Sequence, residues 1–221
     1  TSFWGSFPGS DTGDPGWQVA AYTAQFGGGL SATIAAEMRR MTTIYRGIYS
    51  GNQAAALYQG FQAPDIVANL RANGTWGSAQ IMGALHQVNA QYYGATPATG
   101  HPDDKWGFAL GAGLKVFAPM IGAGDYLQAQ ITYTQGATRY AHQTTNSNWS
   151  SVEGANAGYG PLTDAVYGTS AATGADLELT TAWTLNAAYE HFWNKQWKTS
   201  VYGGYSEVSY NDRGNNLLCT G

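Results

Sequence analysis

The sequence predicts an all-β fold, in the form of the wall of a transmembrane antiparallel β-barrel. Three observations support this prediction: a composition poor in charge and rich in glycine and aromatic residues, alternation of apolar and polar residues in several segments, and a regular succession of short and long connections between those segments. About eight strands are expected.

The composition is unusual for a water-soluble protein. Only 11% of the 221 residues are charged, against roughly 25% in an average soluble domain, whereas 14% are aromatic and 30 are glycine. The mean hydropathy is -0.29, and no segment has the roughly 20 consecutive apolar residues that a transmembrane helix needs. The aromatic content argues against a disordered chain, and a net charge of -4 offers no basic surface for nucleic acid.

The first predicted hairpin joins strands near 17–26 and 30–43. In the second of these strands every other residue is apolar, as in Leu30, Ala32, Ile34, Ala36 and Met38, while Ser31, Thr33, Glu37 and Arg39 lie between them. One face of the strand is therefore apolar and the other mostly polar. The loop Gly27-Gly28-Gly29 places Phe26 opposite Leu30, which puts Tyr22 and Ala24 on the apolar face as well.

The second predicted hairpin joins strands near 65–72 and 75–92. Asn73-Gly74 is a two-residue sequence typical of tight hairpin turns, and it predicts Ala72 opposite Thr75. Cross-strand partners share a face of the sheet. The outward positions of the second strand are then Thr75, Gly77, Ala79, Ile81, Gly83 and Leu85.

The remaining strands are predicted near 106–118, 125–141, 177–193 and 197–210. The first of them alternates apolar residues with small ones such as Gly107, Gly111 and Gly113, so its inner face is nearly bare and leaves room for water. In the last hairpin Trp193 is predicted opposite Trp197.

The connections between the predicted strands are alternately short and long. The tight ones fall at 27–29, 73–74, 119–124 and 194–196, and the long ones at 44–64, 93–105 and 142–176. Outer-membrane barrels have short periplasmic turns and long extracellular loops in this order. Ten aromatic residues lie near the predicted strand ends, as expected of interfacial girdles: Phe26, Tyr92, Tyr93, Trp106, Tyr140, Phe192, Trp193, Trp197, Tyr205 and Tyr210.

Several segments together resemble the porin family of alphaproteobacteria, especially the rhizobial type. They are WQVAAYTAQF at 17–26, followed by GGGLSATIAAE, GFQAPDIVANLR, WGSAQIMGALHQVNAQYYG, GHPDDKWGFALGAGLKVFAP, GDYLQAQITYTQG and AAYEHFWNKQWKTSVYGGYSEVSYND. The resemblance implies a barrel of about sixteen strands, assembled as a homotrimer in the bacterial outer membrane among its lipid and lipopolysaccharide. It also implies passive diffusion of small hydrophilic solutes. No cofactor is expected.

The family's chains are about twice as long as this one, so residues 1–221 are expected to form a single barrel segment, truncated at both ends. A closed barrel of eight strands has its interior filled by side chains, whereas a glycine-lined inner face suits a wider pore. We therefore expect an open arc or a wall completed by additional chain. The resemblance implies that the inward-folded loop that narrows the pore lies upstream of Thr1.

Four charged residues fall on predicted inward positions and are the candidates for lining the pore: Glu37, Arg39, Arg71 and Lys115. Fixed charges on a pore wall attract or repel ions in transit. The alternative is that they are solvated wall residues without effect on selectivity, because the interior of any porin must be polar.

A cluster of arginines marks the end of the second predicted strand. Arg39 and Arg40, with Arg46, lie where the strand enters a long loop. They can favour anions at the mouth of the pore or order the loop against acidic partners.

No catalytic or metal-binding motif is recognised. The chain has no Gly-x-Ser-x-Gly elbow and no phosphate loop, and its four histidines, at 86, 101, 142 and 191, lack the spacing of a zinc site. The pair Asp103-Asp104 can hold a divalent ion or can simply be solvated. The single cysteine, Cys219, is placed in the last loop, where it is either incidental or paired with a cysteine outside this segment.

Three functions remain open. A diffusion porin is favoured over a substrate-specific outer-membrane channel, which would have a saturable solute site. A soluble β-sandwich or glycan-binding protein is the third, but it leaves the low charge and the regular succession of short and long loops unexplained.

Overall fold

The computed structural model describes residues 18–47, 58–94, 96–142, 148–153, 156–171 and 176–220. Thirteen strands and one α-helix follow one another in these residues: β1 (Val19–Gly27), β2 (Leu30–Glu37), β3 (Ile44–Arg46), β4 (Asp65–Gly74), β5 (Gly77–Val88), β6 (Lys105–Phe117), β7 (Tyr126–Gln135), β8 (Asn148–Glu153), β9 (Asn156–Pro161), β10 (Ala165–Tyr167), β11 (Glu178–Leu179), β12 (Thr181–Phe192), β13 (Lys198–Ser209) and α1 (Asp212–Thr220). In the described part of the chain, no helix is long and apolar enough to cross a membrane.

Eight of the strands form one sheet, in the order β1, β2, β4, β5, β6, β7, β12 and β13. Every strand is antiparallel to its neighbours, as in the wall of an up-and-down barrel. The edge strands β1 and β13 find no further partner among the described residues, so the sheet is open. The predicted arc of about eight strands is confirmed. Residue 17, where the first strand was expected to begin, lies outside the described residues.

Two of the predicted hairpin registers are confirmed. Tyr189 pairs with Val201 as expected from the turn between Trp193 and Trp197. Tyr22 likewise pairs with Ile34, although Phe26 itself lies in an irregularity, because Gly27 and not Phe26 pairs with Leu30. Gly27, Gly28 and Gly29 all adopt positive φ angles, which explains why this turn consists of glycines.

The predicted turn at Asn73-Gly74 is wrong. Both residues continue β4, and the turn falls at 75–76, so that Gly74 pairs with Gly77 and Ala72 with Ala79. The Asn73 amide N–H donates to the carbonyl of Gly29 in the neighbouring hairpin turn, and its side-chain oxygen accepts from Nε of Arg71, so these two contacts hold it in the strand. The register differs from the prediction by four residues. Because four is even, the predicted faces of the second strand survive.

The two faces of the sheet differ as the alternation predicts. Large apolar side chains project outward into solvent-exposed positions along the whole sheet; Ile81 is 60% exposed and Leu85 is 51% exposed. Others of this kind are Ile34, Leu70, Leu110, Leu114, Ile131, Leu185 and Val201. Such a face is typical of a wall that meets lipid.

Parts of the long connections fold over the inner face, which the sequence did not predict. β3 pairs parallel with β10, and β10 pairs antiparallel with β11, forming a small second sheet. We call the described residues 38–47, 58–64, 136–142, 162–171 and 176–180 the insert. Its apolar core includes the buried Ile44, Tyr58, Ala165, Tyr167 and Leu177, packed with Val88 of the wall.

The insert covers the wall at the end of the sheet where the long connections lie. Inward-facing wall residues there are buried, namely Ala84, His86, Ala109, Thr134, Ala182 and Thr184. Tyr93 and Tyr140, expected in an interfacial girdle, belong to this packed region instead: Tyr93 lies in the apolar core, and Tyr140 bonds to wall carboxylates.

Two further elements lie against the insert or within the long connections. Helix α1 packs Leu217 and Leu218 against Tyr45 and Val166 of the insert. Cys219 is therefore on a helix and not in a loop, and its side chain is exposed. Within the long connection 142–176, β8 and β9 form a separate antiparallel pair; residues 143–147, 154–155 and 172–175 of this connection lie outside the described residues.

Candidate functional site

The inner face of the eight-stranded sheet has two zones. The covered zone lies beneath the insert, and the open zone extends from there towards the short turns. The open zone presents polar or small side chains that are partly or fully exposed: Ser31, Arg71, Gln80, Gly113, Lys115, Gln128, Gln130, Asn186 and Tyr202. Apart from Lys115 and Arg71 these residues are uncharged, as suits a water-filled interior.

Asp164 holds the insert together from its centre. Its side chain is fully buried and accepts four hydrogen bonds. Oδ2 accepts from the amide of Thr42 and the hydroxyl of Tyr58, both at 2.8 Å, and Oδ1 accepts from the amide and hydroxyl of Thr138 at 2.7 and 2.8 Å. One carboxylate therefore joins three segments of the insert that are far apart in sequence.

A chain of buried polar groups continues from Asp164 to the wall. The hydroxyl of Tyr58 lies 2.9 Å from Nε2 of His86, and Nδ1 of His86 lies 2.8 Å from Oδ1 of Asp65. His86 and Asp65 stand on the adjacent strands β5 and β4, and both are fully buried. Burial and the neighbouring Asp164 raise the pKa of Tyr58 well above its usual value, so its hydroxyl keeps its proton and can donate.

A second link ties the insert to the wall through Tyr140. Its hydroxyl lies 2.8 Å from Asp65 and 2.9 Å from Glu37, and burial together with these two carboxylates raises its pKa. Glu37 also accepts a hydrogen bond from Nε of Arg40 at 2.8 Å. Glu37 and Asp65 thus accept hydrogen bonds from Arg40 and Tyr140, which are both residues of the insert.

The four predicted pore-lining residues fall into different zones. Glu37 and Arg39 lie in the covered zone. Arg39 is 5% exposed, donates to Oδ1 of Asn89 at 2.7 Å, and stacks on the rings of Tyr58 and Phe61. Arg71 and Lys115 lie in the open zone.

The arginine cluster orders the long connection. Arg40 pairs with Glu37, and Arg46 donates to the carbonyls of Tyr92 and Tyr93 at 3.1 and 3.0 Å. The second of the two interpretations, in which these arginines hold a loop in place, agrees with these contacts.

The glycines of β6 serve different purposes. A Cβ atom on Gly107 would lie 2.6 Å from the carbonyl oxygens of Gln135 and Gly136, because the backbone passes close to β6 where β7 ends and the insert begins. At Gly111 the space is filled by the side chain of Met82, and only at Gly113 would a Cβ atom find nothing nearer than 3.9 Å. Among these three, room for water is therefore confined to Gly113.

A carboxylate on the inner face near the short turns is neutralised by its neighbours. Glu190 forms an ion pair with Lys198 at 2.5 Å and also accepts from Tyr126 and Ser200. Nζ of Lys115 lies 3.7 Å from the centre of the Tyr126 ring. These residues lie at the end of the open zone that is near the short turns.

Asp125 fixes the turn between β6 and β7 from the outer side. It is buried and accepts hydrogen bonds from Tyr189 at 2.6 Å, His191 at 2.7 Å and the amide of Phe192 at 2.8 Å. Burial alone would raise the pKa of Asp125, but these hydrogen bonds outweigh it and lower the pKa to about 2.

This lowered pKa predicts an acid-dependent loss of stability. Above its usual pKa of 3.8, Asp125 is ionised in both folded and unfolded chains and its hydrogen bonds stabilise the fold fully; the contribution is lost as pH falls from 3.8 to about 2. Melting temperatures of the wild type and Asp125→Asn should therefore converge over this interval. Parallel curves for the two proteins would contradict the prediction.

The most connected residues of the covered zone could not be identified from the sequence. Tyr58, His86 and Asp164 are separated by up to 106 residues, and no spacing connects them. The one available signal was His86 on a predicted inward position, since a histidine on a wall face needs a partner when buried.

No metal site appears in the described part of the chain, where no group of three or more His, Cys, Asp or Glu side chains is arranged to hold an ion. Of the acidic pair considered for calcium, Asp104 accepts a hydrogen bond from Gln87 at 3.3 Å.

The fold is similar to that of a known outer membrane channel. The crystal structure of the outer membrane channel DcaP of Acinetobacter baumannii is similar, with a TM-score of 0.59 and 14% identity over 90% of this chain and 46% of that chain. At this identity the likeness concerns the fold, and this chain spans less than half the length of that channel. No curated protein matches the sequence. A family model described as a porin subfamily matches residues 6–221. Because this match extends over nearly the whole sequence, the chain belongs to the porin subfamily.

Proposed function

We propose that this chain supplies about half the wall of a water-filled channel through which small hydrophilic solutes and ions diffuse passively. The predicted outer-membrane location agrees with the family. The observation that supports the channel is one continuous sheet with exposed apolar side chains on its outer face and a polar, partly open inner face. A soluble protein of this size would bury that apolar face.

The complete wall is proposed to contain about sixteen strands. β1 and β13 both present unpaired edges among the described residues, and the similar channel is about twice as long as the part matched here. Strands from the rest of a longer chain would pair with these edges. The resemblance of the quoted segments supports two further proposals, a trimeric assembly and an alphaproteobacterial, rhizobial-type origin.

The insert is proposed to narrow this channel from one side. It covers the inner face where the long connections lie and is joined to the wall through Asp65, His86 and Tyr140. The proposed narrowing element thus includes residues of this chain, in addition to the loop that the resemblance locates upstream.

Reconstitution of the full-length protein tests the proposed function. Purified protein in planar bilayers is expected to give stepwise conductance that rises in proportion to salt concentration, without saturation by any solute, because a diffusion pore has no tight binding site. Saturation by one class of solute would favour a substrate-specific channel. Extraction into buffer without detergent, with no conductance, would contradict both and favour a soluble β protein.

A further inference from the structure

The charges of the inner face are distributed unequally between its two zones. In the covered zone the wall carboxylates Glu37 and Asp65 accept hydrogen bonds from Arg40, Tyr140 and His86. The side chain of Asp65 is fully buried and that of Glu37 is 11% exposed. Both carboxylates therefore lie in the covered zone, apart from Arg71 and Lys115, and Glu37 is paired with the cation Arg40.

The open zone contains two cations that have no carboxylate partner among the described residues. Arg71 is exposed and donates through Nε to the neutral amide oxygen of Asn73 at 2.9 Å. Lys115 contacts the rings of Tyr126 and Phe117, and none of its described contacts is with a carboxylate. Near them, Glu190 is compensated by Lys198. The described part of the open zone therefore carries a net positive charge.

The strand register places the two cations on either side of the inner face at Gln80 and Gly113. Arg71 pairs with Gln80, Gln80 pairs with Gly113, and Lys115 is the next inward residue of β6 after Gly113. With strands about 4.8 Å apart and residues about 3.4 Å apart along a strand, the Cα atoms of Arg71 and Lys115 are roughly 12 Å apart. A Cβ atom on Gly113 would lie 3.9 Å from its nearest neighbour, so no side chain fills the inner face between the two cations at this position.

We infer that Arg71 and Lys115 make this wall favour small anions, such as chloride and small carboxylates, over cations. The inference rests on the proposed pore and adds its class of preferred solute. In water, a unit charge about 7 Å from the path of an ion changes the local anion concentration by about two- to threefold. The effect is largest at low ionic strength, where screening is weak.

The experiment is a reversal-potential measurement on the full-length porin in a KCl gradient, with about 0.1 M salt on the dilute side. The wild type is expected to pass chloride in preference to potassium. Arg71→Gln and Lys115→Gln should each lower the permeability ratio of chloride to potassium by about twofold, and the double variant by about fourfold. Arg71→Lys, which keeps the charge, should retain the wild-type ratio.

Lys195→Gln is the matched control, because it removes the same charge from an exposed residue in the turn after β12, away from the inner face. It should leave the ratio unchanged. A conducting wild type that prefers potassium, or a double variant with the wild-type ratio, overturns the inference and leaves the pore intact. A wild type that conducts no ions overturns the proposed pore and the inference with it.

Discussion

Replacing Asp164 with alanine is expected to detach the insert and increase the conductance of the full-length pore, while the sheet stays folded. The carboxylate accepts four hydrogen bonds inside the insert, two of them from Thr138 and the others from Thr42 and Tyr58. A buried donor left without an acceptor costs about 1–3 kcal/mol, so the insert should lose more than about 3 kcal/mol of stability. The alanine side chain has no acceptor atom, so all four donors lose their partner at this position.

Two measurements separate the insert from the wall. Single-channel recordings should show larger and noisier openings. Trypsin should cut at the arginines of the insert, which lie outside the sheet: Arg39, Arg40, Arg46 and Arg139. The sheet itself should keep its heat-modifiable migration on gels. Asp164→Asn should give a smaller change, since the amide keeps one acceptor oxygen. Asp103→Asn, in an exposed loop, should give none. Wild-type conductance and protease resistance in Asp164→Ala would refute the role given to this residue.

The strands were predictable because their signals are local. Alternation assigns each residue to a face within a few positions, and the glycine turn at 27–29 sets a register that the structure retains. The turn at Asn73-Gly74 failed for a reason outside its own hairpin: the preceding hairpin binds Asn73 through the carbonyl of Gly29. An even shift of register left the faces unchanged, so the error did not spread to the rest of the wall.

The insert was not predictable from local patterns. Asp164 meets Thr42 across 122 residues and Tyr58 across 106 residues, and neither contact leaves a periodic signal. Alternation alone also placed Glu37 and Arg39 beside Arg71 and Lys115 on one inner face. It indicates the direction of a side chain and not what covers it. The charges of Glu37 and Arg39 in the covered zone cancel, so only Arg71 and Lys115 are left to act on an ion in the open zone.

Gly107→Ala is expected to destabilise the protein strongly, whereas Gly113→Ala, on the same face of the same strand, is expected to be neutral or slightly stabilising. At Gly107 the new methyl group would lie 2.6 Å from two carbonyl oxygens and 2.7 Å from the carbonyl carbon of Gly136. Backbone cannot turn aside as a side chain does, so β6 must separate from the end of β7 and from the first residue of the insert, at a cost of about 1–3 kcal/mol. At Gly113 the nearest atom is 3.9 Å away, and alanine restricts the unfolded chain.

Urea unfolding of the two variants in lipid vesicles measures the difference in their free energies of unfolding. The conductance of each variant shows whether the substitution displaces the insert or only changes the strand. Gly107→Ala should also raise the conductance, because the insert is displaced from the wall. Gly113→Ala should lower the conductance slightly, because it adds a methyl group to the open zone. Opposite signs of the conductance change are the decisive result, since a general loss of strand stability would move both variants in the same direction. Equal destabilisation with equal conductance would mean that the insert does not rest on Gly107 and that both glycines serve the strand alone.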